Sequence, residues 1–104
     1  MTTCTSYTNV GQQRVLKLLQ QLFGHEMNGV TLTDVARLMN TAAPVALRDL
    51  HNLQDAGLAE QMAETNRWRL TPRLPQKALA MMEAMDRAQQ RLTESRHRYT
   101  RNPD

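Results

Sequence analysis

The chain has 104 residues and a mass of 11.9 kDa, enough for one domain and too little for a second core. Hydrophobic residues make up 40% and aromatics only 4%, so the core must draw on Leu, Val, Ala and the seven Met, a mix that favours a small helical domain over a β-sandwich. No apolar run approaches the roughly 18 residues of a bilayer span, and Met1-Thr2-Thr3-Cys4-Thr5-Ser6 has neither the basic nor the apolar stretch of an export signal. The single cysteine, Cys4, cannot form an internal disulfide, which fits a reducing cytoplasm.

The net charge of +3 is unevenly spread. Up to residue 60, Arg14, Lys17, Arg37 and Arg48 are outnumbered by Glu26, Asp34, Asp49, Asp55 and Glu60. All the positive excess therefore lies beyond residue 60, and a pI near 9.6 suits an anionic partner such as nucleic acid without requiring one.

Residues 1–8 are polar and read as a loose, disordered terminus. From Asn9 onward Val10, Val15, Leu18, Leu19, Leu22 and Phe23 recur at three- and four-residue spacing, which predicts an amphipathic helix capped by Thr8 or Asn9 and ended by Gly24. The loop His25–Gly29 leads to a two-residue strand at Val30. Thr31 and Asp34 then form a capping-box variant that predicts a second helix from Leu32 to Met39. Pro44 suits the first turn of a third helix, which carries Ala46, Leu50 and Leu53 on one face and stops at Gly57. Segments 58–62 and 67–71 alternate roughly and predict a β-hairpin. Thr71-Pro72 then opens a long helix that runs to about Tyr99.

This order of elements is that of a winged helix-turn-helix, mainly α with a small β-hairpin, followed here by a long C-terminal helix. The expected divisions are a loose terminus at 1–8, the winged domain at 9–71, and the helix with its basic tail at 72–104. In this architecture the third helix lies in a major groove and the hairpin touches the flanking backbone. At about 100° per residue, Ala46, Leu50 and Leu53 face inward, and Pro44, Arg48, His51, Asn52 and Asp55 face outward. Arg48 can bond guanine bidentately, Asn52 can bond adenine, and His51 can serve a base edge or phosphate, so these three are the candidate base contacts. The same residues also make an ordinary solvated helix face. Thr33, Thr41, Arg67, Arg69, Arg73 and Lys77 are the candidate contacts to the DNA backbone. Arg67 and Arg69 flank Trp68 and are expected on one face of their strand, with Trp68 packed against the helices. Four neutralised phosphates would give a log–log salt slope of roughly −3 to −4.

In the last helix Ala78, Met81, Met85, Ala88, Leu92, Ser95 and Tyr99 follow a heptad seam. This points to homodimerisation through Ala78, Met81, Met85, Ala88, Leu92 and Tyr99, two reading heads roughly 34 Å apart and a palindromic site. Catalysis is not expected. His25, His51 and His97 lie in different elements, no Cys accompanies any of them, and there is no Gly-rich phosphate loop or nucleophile turn. No metal or cofactor is expected.

Residues 12–74 resemble the N-terminal winged helix-turn-helix of the IclR family of bacterial transcriptional regulators. The resemblance rests on Arg14-Val15-Leu16-Lys17-Leu18-Leu19, Thr31-Leu32-Thr33-Asp34-Val35-Ala36, Arg48-Asp49-Leu50-His51-Asn52-Leu53, Ala56-Gly57-Leu58 and the wing strand Arg67-Trp68-Arg69-Leu70. It implies sequence-specific binding of duplex DNA, usually as a dimer, in gene control, here as a cytoplasmic repressor acting by occlusion. A single long helix stands where the family has its large effector-binding domain, so small-molecule sensing is not expected. Pro44 and Val45 stand where the family usually has Ser and Thr, leaving Ala42, Ala43, Pro44 and Val45 with backbone groups and thymine-methyl contacts to offer. That apolar front also suits a protein-interaction adaptor docking on a partner. RNA binding, a third reading, lacks an exposed aromatic pair.

Overall fold

A computed structural model describes residues 7–101; the expected loose terminus lies outside the described residues, Cys4 included, except for Tyr7 and Thr8. Four helices and one hairpin follow in chain order: α1 (Val10–Gln21), α2 (Leu32–Leu38), α3 (Ala43–Asp55), β1 (Ala59–Gln61), β2 (Trp68–Leu70) and α4 (Arg73–Thr100). The chain divides into two units at Arg73–Leu74, so that α4 stands almost wholly in the second.

Local chemistry sets the helix ends. Asn9 is extended, and its side-chain oxygen accepts the Gln12 N–H at 3.0 Å, relieving one of the free donors at the start of α1. α1 stops at Gln21 with Leu22 as its C-cap, two residues earlier than a Gly24 stop predicts; Gly24 follows in the turn with φ +95°, where the Glu26 carboxylate accepts its N–H at 2.8 Å. Thr31 caps α2 by accepting from Asp34 N at 3.1 Å. The turn into α3 passes through Asn40 at φ +51°, a left-handed position that Asn tolerates. Ala42 offers α3 no side-chain cap, and Pro44 sits in the first turn, where its missing N–H costs nothing.

The three helices enclose one core. Leu18 of α1 and Leu22 at its C-cap, Val35 of α2, and Ala46, Leu50 and Leu53 of α3 are buried together with Val30, Ala59, Trp68 and Leu70. Each fully buried large side chain contributes on the order of 1.5–3 kcal/mol. Trp68, the largest, closes the core from the hairpin side, as expected for the inward position of its strand.

The hairpin pairs Ala59 with Leu70, Glu60 with Arg69 and Gln61 with Trp68. Its hydrogen bonding runs one step further at each end, from Met62 N to Arg67 O (2.7 Å) and from Thr71 N to Leu58 O (2.9 Å), so the pairing spans the segments predicted from sequence. On the other edge Val30 and Trp68 exchange two hydrogen bonds of 2.8 Å, which makes the expected short strand a single-residue bridge. Gly29 permits this approach. Its φ is +75°, and an added Cβ would lie 2.8 Å from both Arg67 Cβ and Met62 Sδ.

The second unit is the helix α4, 28 residues or about 42 Å long. It starts one residue later and ends one residue later than expected, and Pro75 falls in its first turn. None of its side chains is buried, and Met81, Met85, Leu92 and Tyr99 are all exposed.

Candidate nucleic-acid interface

The third helix presents the face that the wheel predicts: Pro44, Arg48, His51, Asn52 and Asp55 are exposed, while Ala46, Leu50 and Leu53 lie inside. Asp49 breaks the pattern, a carboxylate only 3% exposed. Arg14 of α1 reaches it with two parallel hydrogen bonds, Nε to Oδ2 and Nη2 to Oδ1, the latter 3.1 Å long. These bonds, donated to Asp49, push the Arg14 guanidinium above its ordinary pKa, and the pair ties α1 to α3 beside the exposed face. The sequence held one signal of this pair, an acid at the edge of the inward stripe, about 40° from Leu53 on the wheel; its partner lies 35 positions away.

The three candidate base contacts differ in readiness. Arg48 makes no side-chain hydrogen bond or ion pair among the described residues. Asn52 turns its Nδ2 back onto the Arg48 carbonyl at 2.9 Å, so this amide must rotate before it can pair with adenine. His51 stands edge-on to the Trp68 indole, with centroids 5.5 Å apart and planes at 83°, and its Nδ1 is 3.1 Å from Gln54 Oε1. The core tryptophan thus orients an exposed imidazole on the helix face.

The six candidate backbone contacts also separate. Thr33 is exposed in the first turn of α2, and Thr41 is half-buried in the turn before α3. Arg67 lies one residue ahead of β2, exposed and with no side-chain hydrogen bond or ion pair among the described residues. Arg69 is half-buried and bound to its cross-strand neighbour: its Nε donates to Glu60 Oε2 at 2.7 Å, and its Nη1 lies 3.5 Å from the Glu26 carbonyl. Arg73 lies over Gly57 and donates to the Ala56 carbonyl at 3.4 Å, compensating the carbonyl end of α3. Lys77 is exposed on α4. Of the basic edge expected from Arg67, Arg69, Arg73 and Lys77, one guanidinium is uncommitted and two are engaged, and Lys77 is exposed on its own helix. Among the described residues no group of three His, Cys, Asp or Glu could hold a metal, and no helix is long and apolar enough to cross a membrane.

Helix, helix, turn, helix and a hairpin packed against them by Trp68 define a winged helix-turn-helix. The resemblance of the sequence to the IclR type is matched in three dimensions. A protein named as an IclR transcriptional regulator from Silicibacter sp. TM1040 superposes with a TM-score of 0.60 and 31% identity, over 71% of this chain and 28% of that one. HmgR of Pseudomonas aeruginosa does so with a TM-score of 0.56 and 30% identity, over 74% of this chain and 31% of that one. The fold is shared with the Zalpha domain of Cyprinid Herpesvirus3 ORF112, solved bound to Z-DNA, at a TM-score of 0.53 and 17% identity over 61% of this chain and 100% of that one. The chain spans under a third of the length of the first two proteins. No family model and no curated protein matches it.

Proposed function

We propose that the chain is a sequence-specific duplex-DNA-binding regulator of transcription, a cytoplasmic repressor that works by occluding its site. The observation that carries this reading is the open polar face of α3, where an unpaired Arg48 stands beside His51 and Asn52 on a fold shared with transcriptional regulators. In the complex Arg48 takes guanine, Asn52 takes adenine once its amide swings off the Arg48 carbonyl, and His51 meets a base edge or phosphate. Arg67 and Thr33 hold the sugar–phosphate backbone from the wing and from α2. Thr41, Arg69, Arg73 and Lys77 are weaker contributors; Arg69 would have to leave Glu60, and Arg73 the end of α3. Two copies join along the α4 seam of Ala78, Met81, Met85, Ala88, Leu92 and Tyr99, setting two reading helices on a palindrome.

Selection of bound fragments from random duplex DNA at stated salt tests this. An enriched palindrome is expected; flat enrichment would favour the docking of α3's apolar front on a partner protein. On the selected duplex, Arg48→Ala should lose roughly 1–3 kcal/mol and relax preference at one position. Arg67→Ala should weaken all sequences alike and flatten the salt slope by about 1, with Arg69→Ala doing less than Arg67→Ala because its charge is already matched by Glu60.

A further inference from the structure

A groove with a volume of about 570 Å³ lies between the first turns of α1 and the middle of α3, within the size range of small-molecule sites. We propose that it binds a small amphipathic monocarboxylate and that this ligand competes with DNA for Arg48; the second half rests on the DNA-binding reading above.

The lining selects this chemistry. Asp49 and Arg14 lie in the groove with both carboxylate oxygens and two guanidinium nitrogens already engaged with each other, so the pair is internally neutral and takes no further charge. Val15 and Leu16 supply an apolar wall, and Leu16 is 53% exposed although it lies in the middle of α1. Gly11 lines the groove beside Asn9, and a Cβ there would come 3.3 Å from Asn9 Oδ1. Arg48 is the one lining cation without a counter-charge among the described residues. One unmatched guanidinium beside an apolar wall fits a single carboxylate, accepted bidentately, with a hydrocarbon body lying along Val15 and Leu16. A dianion would leave half its charge unmatched, and a neutral lipophile would desolvate Arg48 without pairing it. Arg48 and Asn52 belong both to this groove and to the exposed face of α3, so their side chains cannot serve ligand and base at once.

Octanoate is a suitable probe, with octanol and inorganic phosphate at matched ionic strength as the other arms. The full chain is followed by amide chemical shifts. Octanoate should saturably shift Gly11, Gln12, Leu16 and Arg48, while phosphate and octanol bind at least about tenfold more weakly. Arg48→Gln should cost at least about tenfold in octanoate affinity. Leu16→Gln, at an exposed position, should weaken octanoate while leaving DNA binding intact. On a selected duplex, octanoate should raise the wild-type Kd for DNA and should not do so for Leu16→Gln. Absence of shifts in the groove, equal binding of phosphate, or unchanged octanoate affinity in Arg48→Gln would overturn the site. Saturable groove binding with an unchanged Kd for DNA would overturn the competition. A chain that binds octanoate in the groove but no duplex would leave the site standing and remove the DNA reading instead.

Discussion

Asp49 and Arg14 show how one charged pair can fix the placement of a whole helix face. The carboxylate is out of water while Arg14 stays partly exposed, so removing Arg14 strands a buried charge and removing Asp49 loses both bonds that join α1 to α3; either loss should exceed what an exposed charge on α3 can cause. Asp49→Ala should therefore lower the denaturation midpoint clearly more than Asp55→Ala on the same helix, measured in urea with Trp68 fluorescence. Replacing Arg14 and Asp49 together by apolar residues of similar size should recover much of the loss, because no buried charge is then left alone. Gly29 is constrained by space and conformation at once. Gly29→Ala meets both a positive φ and two atoms at 2.8 Å, and should cost more than about 1 kcal/mol in the same assay.

The wing is where strand register decides which side chains are available. Arg67 and Arg69 have the same charge and flank the same tryptophan, yet only Arg69 stands opposite an acid, because the hairpin places Glu60 across from it. Most helix ends were legible in the sequence to within a residue or so, since Asn9, Thr31, Pro44 and Gly57 act on neighbours no more than a few positions away; the end of α1 was not, because the helix stops at Gln21, before Phe23 and Gly24. The strands were legible as segments, and their ladder covers the expected span. The pairing of Glu60 with Arg69 was not, because it depends on how the turn at 63–66 closes. Trp68→Ala should cost about 3–5 kcal/mol and loosen the wing, because its ring fills the core while its backbone holds Val30. Amide exchange at Val30 and Met62 would report that loosening.

At the scale of the molecule, α4 carries an apolar seam with none of its side chains buried within the chain. Met81, Met85 and Leu92 recur along one exposed stripe, which the proposed second copy would cover. The cover is imperfect, because on the heptad wheel Lys77, Arg91, Arg96 and Arg98 flank the seam and self-pairing brings like charges near one another. Association should thus strengthen as salt is raised, the reverse of the behaviour expected for DNA binding. Met85→Glu should shift the solution mass from dimer to monomer in sedimentation while leaving the thermal unfolding of the winged unit in place. An unchanged mass would remove the seam from the account.

The sequence by itself determined the order of the elements, their caps, the apolar face of α3 and the burial of Trp68, because those features follow from residues close along the chain and from helical and strand periodicity. Only the tertiary structure decided which charges are free. Asp49 was claimed by Arg14, Arg69 by Glu60 and Arg73 by the end of α3, leaving Arg48 and Arg67 open to a partner. Pairing of that kind depends on distances between elements far apart in sequence, and these are set only when the core closes.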